Sequence, residues 1–147
     1  MVDCKSVTTL MELNFKKIYR TVVGPKLVNP TEYCQLVVAL MFLINSLPDI
    51  CFIVNILIQF MVKPYHIHWI AAKNLLRYLH GTINYGLRYT AKNLRLHGYS
   101  DADWAGSVVD QKSTSGCCFS LGFASISWMS KKQKSISLST GGQIHCS

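Results

Sequence analysis

The stretch LLRYLHGTINYGLRYTAKNLRLHGYSDADW, residues 75–104, contains the change of texture on which the fold turns. Its opening residues continue a helical pattern that begins near His66. Its closing residues alternate aromatic, aliphatic and polar side chains in the manner of a strand. Gly81 marks the break, as the residue just past a helix end where a left-handed backbone is tolerated. Upstream, Ile67, Ile70, Ala71, Leu75, Tyr78 and Leu79 supply the apolar stripe expected of a helix over His66–His80. Downstream, GLRYT, LRLHGYSDADW, SGCCFSLG and ASISWMS are short, rich in β-preferring residues and separated by Gly, Ser, Asn and Asp. They predict antiparallel strands.

Working back from His66, the longest apolar zone runs from Leu36 to Val62. Asn45, Ser46, Pro48 and Asp49 interrupt it, so each half is too short to cross a bilayer. Two buried helices joined by a turn are expected. Thr31 is the N-cap expected for the first, EYCQLVVALMFLIN. Pro48 and Asp49 open the second, with proline at a tolerated early position and aspartate at the positive helix end, and it is expected to run to about Met61. Residues 1–30 end in Gly24-Pro25 and Asn29-Pro30 and read as a mostly extended lead-in. Their start lacks the continuous apolar run of an ordinary signal peptide. The expected class is α+β, with a lead-in over 1–30, a three-helix segment over 31–81 and a β segment over 82–147.

Half of the 147 residues are apolar, enough for a real core and too many for a disordered tail. Fifteen Lys and Arg against seven Asp and Glu give a formal charge of +8, which favours an anionic partner such as nucleic acid. The six cysteines form no CxxC pair and no His lies at zinc-finger spacing from a pair. They read as small core residues of a reducing, intracellular compartment, and vicinal Cys117 and Cys118 on a strand point to opposite faces.

Lys73, Arg77 and His80 recur at spacings that align them on one helix face, and no acid on that helix pairs with them. A phosphate backbone would offset that like-charge stacking; a merely solvated face is the plain alternative. Trp128 with Lys131, Lys132 and Lys134 forms a basic-aromatic cluster suited to phosphates with some stacking, or an ordinary solvated strand end. The pair His66 and His68 is spaced two apart, so on a helix it reads as a cap or surface feature rather than a metal pair. Ser113, Thr114 and Ser115 lack His and Asp companions for nucleophilic catalysis and read as a turn. Cys118, Phe119, Leu121, Ile126 and Trp128 are candidates for an apolar sheet face or its neighbour.

The segments PTEYCQLVVALMFL, LPDICFIVN, HWIAAKNLLRYLHGTINYGLRY, GYSDADWAG, KSTSGCCFSLG, ISWMSKKQ and SLST together resemble the polyprotein of Ty1/copia-type retrotransposons, in that family's order. The resemblance implies thumb-like helices of a reverse transcriptase over 31–81, followed by a truncated antiparallel RNase H-like sheet. It makes Asp101 a relic of the aspartate that helps hold two magnesium ions in RNase H. Several converging carboxylates are needed for such a pair, because hard divalent ions take oxygen ligands. In the tail LSTGGQIHCS, Gly142 and Ile144, or Gln143 on a shifted alignment, stand at the family's acidic positions. The resemblance places the other ligands beyond Ser147 and the polymerase aspartates upstream, so an incomplete site is expected: no catalytic residue, no bound metal and no cofactor, with magnesium relevant only to an intact RNase H site. Val38 stands for a family glycine, where it is expected to disturb a close helix contact, and Leu47 for an arginine.

Arg77-Tyr78-Leu79-His80 also resembles a degenerate RxLR motif of oomycete secreted effectors. Three functions are therefore expected in order. The first is a non-catalytic retroelement remnant with at most residual nucleic-acid binding. The second is a secreted RxLR-type effector that meets plant host proteins in the host cytoplasm or nucleus and suppresses defence or cell death. The third is a metal-dependent nuclease.

Overall fold

A computed structural model describes residues 5–10, 25–26, 29–91, 94–103 and 112–134. The chain divides into two compact units, residues 1–86 and residues 87–147.

The first unit is helical. Helix α1 spans Pro30–Leu43, with Pro30 at its first position and Asn29 just outside. The fixed φ of proline suits that position, so the helix starts one residue before the expected Thr31 cap and Thr31 falls in the first turn. Asn29 Nδ2 donates to Glu32 Oε1 at 2.8 Å across this start. Tyr33, Val37 and Leu40, spaced four and three apart, are buried. The expectation of an all-buried helix fails on the other face, where Val38, Met41 and Phe42 are exposed. Val38 therefore disturbs no close helix contact.

A 3₁₀ turn, Pro48–Ile50, leads directly into α2, Cys51–Ile58. Asp49 Oδ1 accepts the Ile50 N–H at 3.0 Å, satisfying a donor at the helix start. This helix is apolar nearly all round and is buried accordingly, through Cys51, Ile53, Val54, Ile56 and Leu57. Its regular part stops three residues short of the expected Met61. Gln59, Phe60 and Met61 instead donate to the carbonyls of Ile56, Leu57 and Ile58, the tighter pattern common at helix ends.

Helix α3 spans His66–Gly81, with Thr82 as its C-cap. Its buried stripe is His68, Ala72 and Leu75, flanked by Ala71, Leu76 and Leu79. The predicted stripe is thus rotated, and Ile70 is exposed. The physical reason is His68. Its Nδ1 accepts the Tyr65 N–H at 3.0 Å, and its ring stacks on Phe60 with centroids 3.8 Å apart. A polar ring whose acceptor is satisfied can be buried at little cost. His68 is a cap, as its position foretells, but a core residue rather than a surface one.

The three helices share one core built from Tyr33, Val37 and Leu40, from Ile50, Ile53, Val54 and Leu57, and from Ala72 and Leu75. The Tyr33 hydroxyl donates to the Leu57 carbonyl at 2.8 Å, and burial pushes the phenol well above its ordinary pKa. Cys34 Sγ lies 3.5 Å from the Met61 carbonyl. Among the described residues no helix is long and apolar enough to cross a membrane.

The second unit is a three-stranded antiparallel sheet in the order β1 (Leu96–Asp103), β2 (Thr114–Leu121), β3 (Ala124–Lys132). The α+β class is as expected. GLRYT, expected as a strand, forms none; Tyr89 instead ties its loop to the sheet through a 2.8 Å hydrogen bond from its hydroxyl to the Ser125 carbonyl. Thr114 and Ser115, expected in a turn, begin β2, and the buried Ser113 accepts the Gln133 N–H at 2.8 Å. Gly122 turns the β2–β3 hairpin at φ 64°, a conformation that glycine adopts without penalty.

Register assigns the faces. Tyr99 pairs with Cys118 and Cys118 with Trp128, so these three form a row across one face. Gly98, Phe119 and Ser127 form a row on the other. The pairing skips Ile126, which is the extra residue of a bulge between Phe119 and Ser120. The five candidates for an apolar face or its neighbour are divided between the two faces, because adjacent strand residues point in opposite directions.

Replacing His68 by Ala removes the acceptor of the Tyr65 N–H and the ring stacked on Phe60. The expected loss is about 2–4 kcal/mol in urea denaturation, against less than about 0.5 kcal/mol for His66→Ala at the exposed start of the same helix.

Candidate functional site

The basic face of α3 is engaged within its own unit. Lys73 Nζ lies 4.9 Å from the centroid of the Trp69 ring, a cation–π contact one turn away. Arg77 Nε donates to the Lys5 carbonyl at 2.9 Å, and the Arg77 carbonyl accepts the Val7 N–H at 3.4 Å. Residues 5–7 thus lie along α3. At Gly81 a Cβ would stand 3.1 Å from the Val7 carbonyl oxygen, so the close approach of this segment favours glycine there. His80 is exposed at the end of the helix.

The same placements absorb the RxLR-like motif. Arg77 holds the amino-terminal segment. The Tyr78 hydroxyl donates to Asp49 Oδ2 at 2.6 Å, and Leu79 packs against the helical core. The bond to the carboxylate, with some burial and the charge of Asp49, pushes the Tyr78 hydroxyl from its ordinary 10.0 up to about 12. Asp49 serves two elements at once, the 3₁₀ turn through Oδ1 and α3 through Oδ2. Sequence reasoning saw Asp49 only as a helix-end charge, since nothing local links it to a tyrosine twenty-nine residues away.

In the sheet, Asp101 is exposed on β1, and its Oδ1 accepts the N–H of the next residue, Ala102, at 2.8 Å. The positions opposite it are Gly116 on β2 and Ser130 on β3. Neither carries a carboxylate, and among the described residues no three His, Cys, Asp or Glu side chains come together. The tail segment with Gly142, Gln143 and Ile144 lies outside the described residues.

Trp128, Lys131 and Lys132 lie on β3, and Lys134 lies just beyond it. Lys132 shares the face of Trp128, four residues and roughly 13 Å away along the strand. Lys131, opposite Ser115, is on the other face. Strand alternation therefore parts Lys131 from Trp128 and Lys132. Lys73 and Arg77 belong to the helical unit.

One arrangement was not legible from local sequence. Arg95 and His97 at the start of β1 meet the Gly122–Phe123 turn, and these four residues line a cleft of about 320 Å³. Only the antiparallel register brings these segments together, with the Gly122 N–H donating to the Arg95 carbonyl at 2.9 Å.

The chain is 47% identical over 138 residues to the retrovirus-related Pol polyprotein of transposon RE1 from Arabidopsis thaliana, which covers 92% of this chain and 9% of that polyprotein. It is 46% identical over 110 residues to secreted RxLR effector protein 161 of Plasmopara viticola, covering 74% of this chain and 78% of that protein. It is 38% identical over 142 residues to the uncharacterized mitochondrial protein AtMg00810 of Arabidopsis thaliana, covering 95% and 58%. No family profile and no solved structure matches. The chain spans under a tenth of the RE1 polyprotein and over half of the shorter relatives.

These likenesses place the molecule in the class of retroelement polyprotein segments. More closely, the chain belongs to the Pol polyprotein family of copia-type retrotransposons, and it is also similar to a protein named as a secreted RxLR effector.

Replacing Tyr78 by Phe removes the bond to Asp49, and because the pair is partly solvated the expected cost is about 0.5–1 kcal/mol. A hydroxyl whose folded pKa is raised contributes fully below the unfolded value and loses that contribution as pH climbs through the folded one. The stability gap between wild type and Tyr78→Phe should therefore be constant up to about pH 10 and close as pH approaches 12, followed by denaturant titration at each pH.

Proposed function

We propose that this chain is a non-catalytic remnant of a copia-type Pol polyprotein that keeps only weak, charge-driven affinity for nucleic acid. The observation that carries this reading is the surroundings of Asp101. Two-metal hydrolysis needs carboxylates converging from several elements on ions about 3.5–4 Å apart. Asp101 has Gly116 and Ser130 as its cross-strand neighbours, and its own Oδ1 is turned to the Ala102 N–H. One such carboxylate cannot offset the desolvation of two doubly charged ions. The formal charge of +8 supports the residual affinity. That affinity is electrostatic, so it carries the salt dependence of phosphate contacts. In this reading residues 31–81 derive from thumb-like helices of a reverse transcriptase and the sheet from the front of an RNase H domain.

A second reading, an effector acting on plant host proteins, is supported by the 46% identity to a protein named as a secreted RxLR effector. On this reading the RYLH sequence does not act as a free linear signal, since Arg77, Tyr78 and Leu79 are all engaged in the helical unit. The folded surface would carry the activity instead. Expression in leaf tissue with a cell-death elicitor tests it: unchanged cell death counts against the effector.

With an RNA–DNA hybrid and magnesium, the full chain should give no cleavage above a protein-free control. Magnesium-dependent cleavage abolished by Asp101→Asn would overturn the remnant reading. Binding to a single-stranded oligonucleotide should be measurable at low ionic strength and fall by about tenfold or more between 50 and 200 mM salt, read by fluorescence anisotropy.

A further inference from the structure

The end of the sheet opposite Asp101 carries a combination of groups that the relic metal chemistry does not use. Arg95 and His97 lie two residues apart on one extended segment, so their side chains leave the same side of it. The ladder bond from Gly122 to the Arg95 carbonyl brings the hairpin turn beside them, with Phe123 at its tip. The resulting cleft has a volume of about 320 Å³, at the small end of the roughly 300–1,000 Å³ range of ligand sites.

Three features distinguish this cleft from an ordinary strand end. First, Phe123 is 91% exposed. The turn requires glycine at 122 for its positive φ, but nothing in the turn requires a large apolar ring at 123. Second, Arg95 and His97 are both exposed, and among the described residues their side chains have no hydrogen-bond or ion-pair partner. Third, the described carboxylate on β1, Asp101, stands four residues further along the strand, roughly 13 Å from His97. Among the described residues of this unit the potential at the cleft is therefore positive.

A guanidinium fork, a neighbouring imidazole and an open aromatic face match a phosphate joined to a flat ring. We propose that this cleft binds one nucleotide unit of a single-stranded nucleic acid, with the phosphate on Arg95 and His97 and the base stacked on Phe123. A single strand is specified because a ring at a turn tip reaches only a base that is not already stacked in a duplex. The proposal rests on the reading that the chain retains nucleic-acid affinity, and it locates part of that affinity away from Lys131, Lys132 and Lys134.

The test uses the full chain and a fluorescein-labelled oligothymidylate of about 12 nucleotides, read by anisotropy at low salt. Phe123→Ala should weaken binding by about five- to fiftyfold, and Phe123→Trp should restore it. Arg95→Ala should weaken binding and lower the slope of log affinity against log salt by about one, while Lys131→Ala at the other end of the sheet should spare the Phe123 effect. Phe123 and Arg95 are exposed, so unchanged denaturation midpoints are expected for both variants. If wild type binds but Phe123→Ala and Arg95→Ala stay within about twofold of it, the cleft is not the site and the remnant affinity lies elsewhere. An equal loss on a duplex of the same length would overturn base stacking on Phe123. Absence of any wild-type binding at low salt would overturn both the cleft and the nucleic-acid reading.

Discussion

The backbone register of β1 on β2 determines almost everything chemical about the second unit. Eight consecutive pairs run from Leu96 opposite Leu121 to Asp103 opposite Thr114. Because side chains alternate across a strand, that single alignment fixes the company each residue keeps. It gives Asp101 a glycine neighbour, seats Tyr99 beside Cys118, and separates Cys117 from Cys118. It also carries the hairpin turn up against Arg95. A slip of one residue would give Asp101, Tyr99 and Arg95 different neighbours. The sheet is thus a set of consequences of one pairing, and the neighbours of Asp101 are among them.

The fold was legible in the sequence wherever period and punctuation agreed. The three strands from LRLHGYSDADW, SGCCFSLG and ASISWMS fall where alternation and glycine placed them. The three helices follow their apolar runs, with shifts at the ends that trace to proline geometry at Pro30 and to tightened turns after Ile58. What was not legible depended on partners distant in sequence. The cap role of His68 was legible, but its burial was not, because that needs both Phe60 and the Tyr65 amide. GLRYT has strand composition but no strand beside it, only the bond from Tyr89. The basic residues were easy to find, yet their grouping was not: strand alternation parts Lys131 from Lys132, and Arg77 is tied to a backbone carbonyl near the amino terminus.

The helical unit shows how a surface-like motif becomes structural. RYLH occupies a helix whose neighbours all make use of it, through a carbonyl of Lys5, a carboxylate of Asp49 and the shared core. A short match of four residues says little about exposure, since exposure depends on what packs around it. Affiliation with copia-type Pol polyproteins rests instead on identity along most of the chain. That kind of likeness preserves core and register, the features that hold a fold, whatever chemistry the fold carries.

The contact of residues 5–7 with α3 has a practical corollary for anyone cutting the helical unit out of a longer polypeptide. A boundary drawn at Pro30, where the first helix begins, looks natural but strips the strap from the final helix. The guanidinium of Arg77 would then lose its acceptor, and the exposed backbone at Gly81 would lose its contact with Val7. Such an excised piece would fray from its carboxyl end, and its shortest sound version begins some twenty-five residues earlier than its helices do.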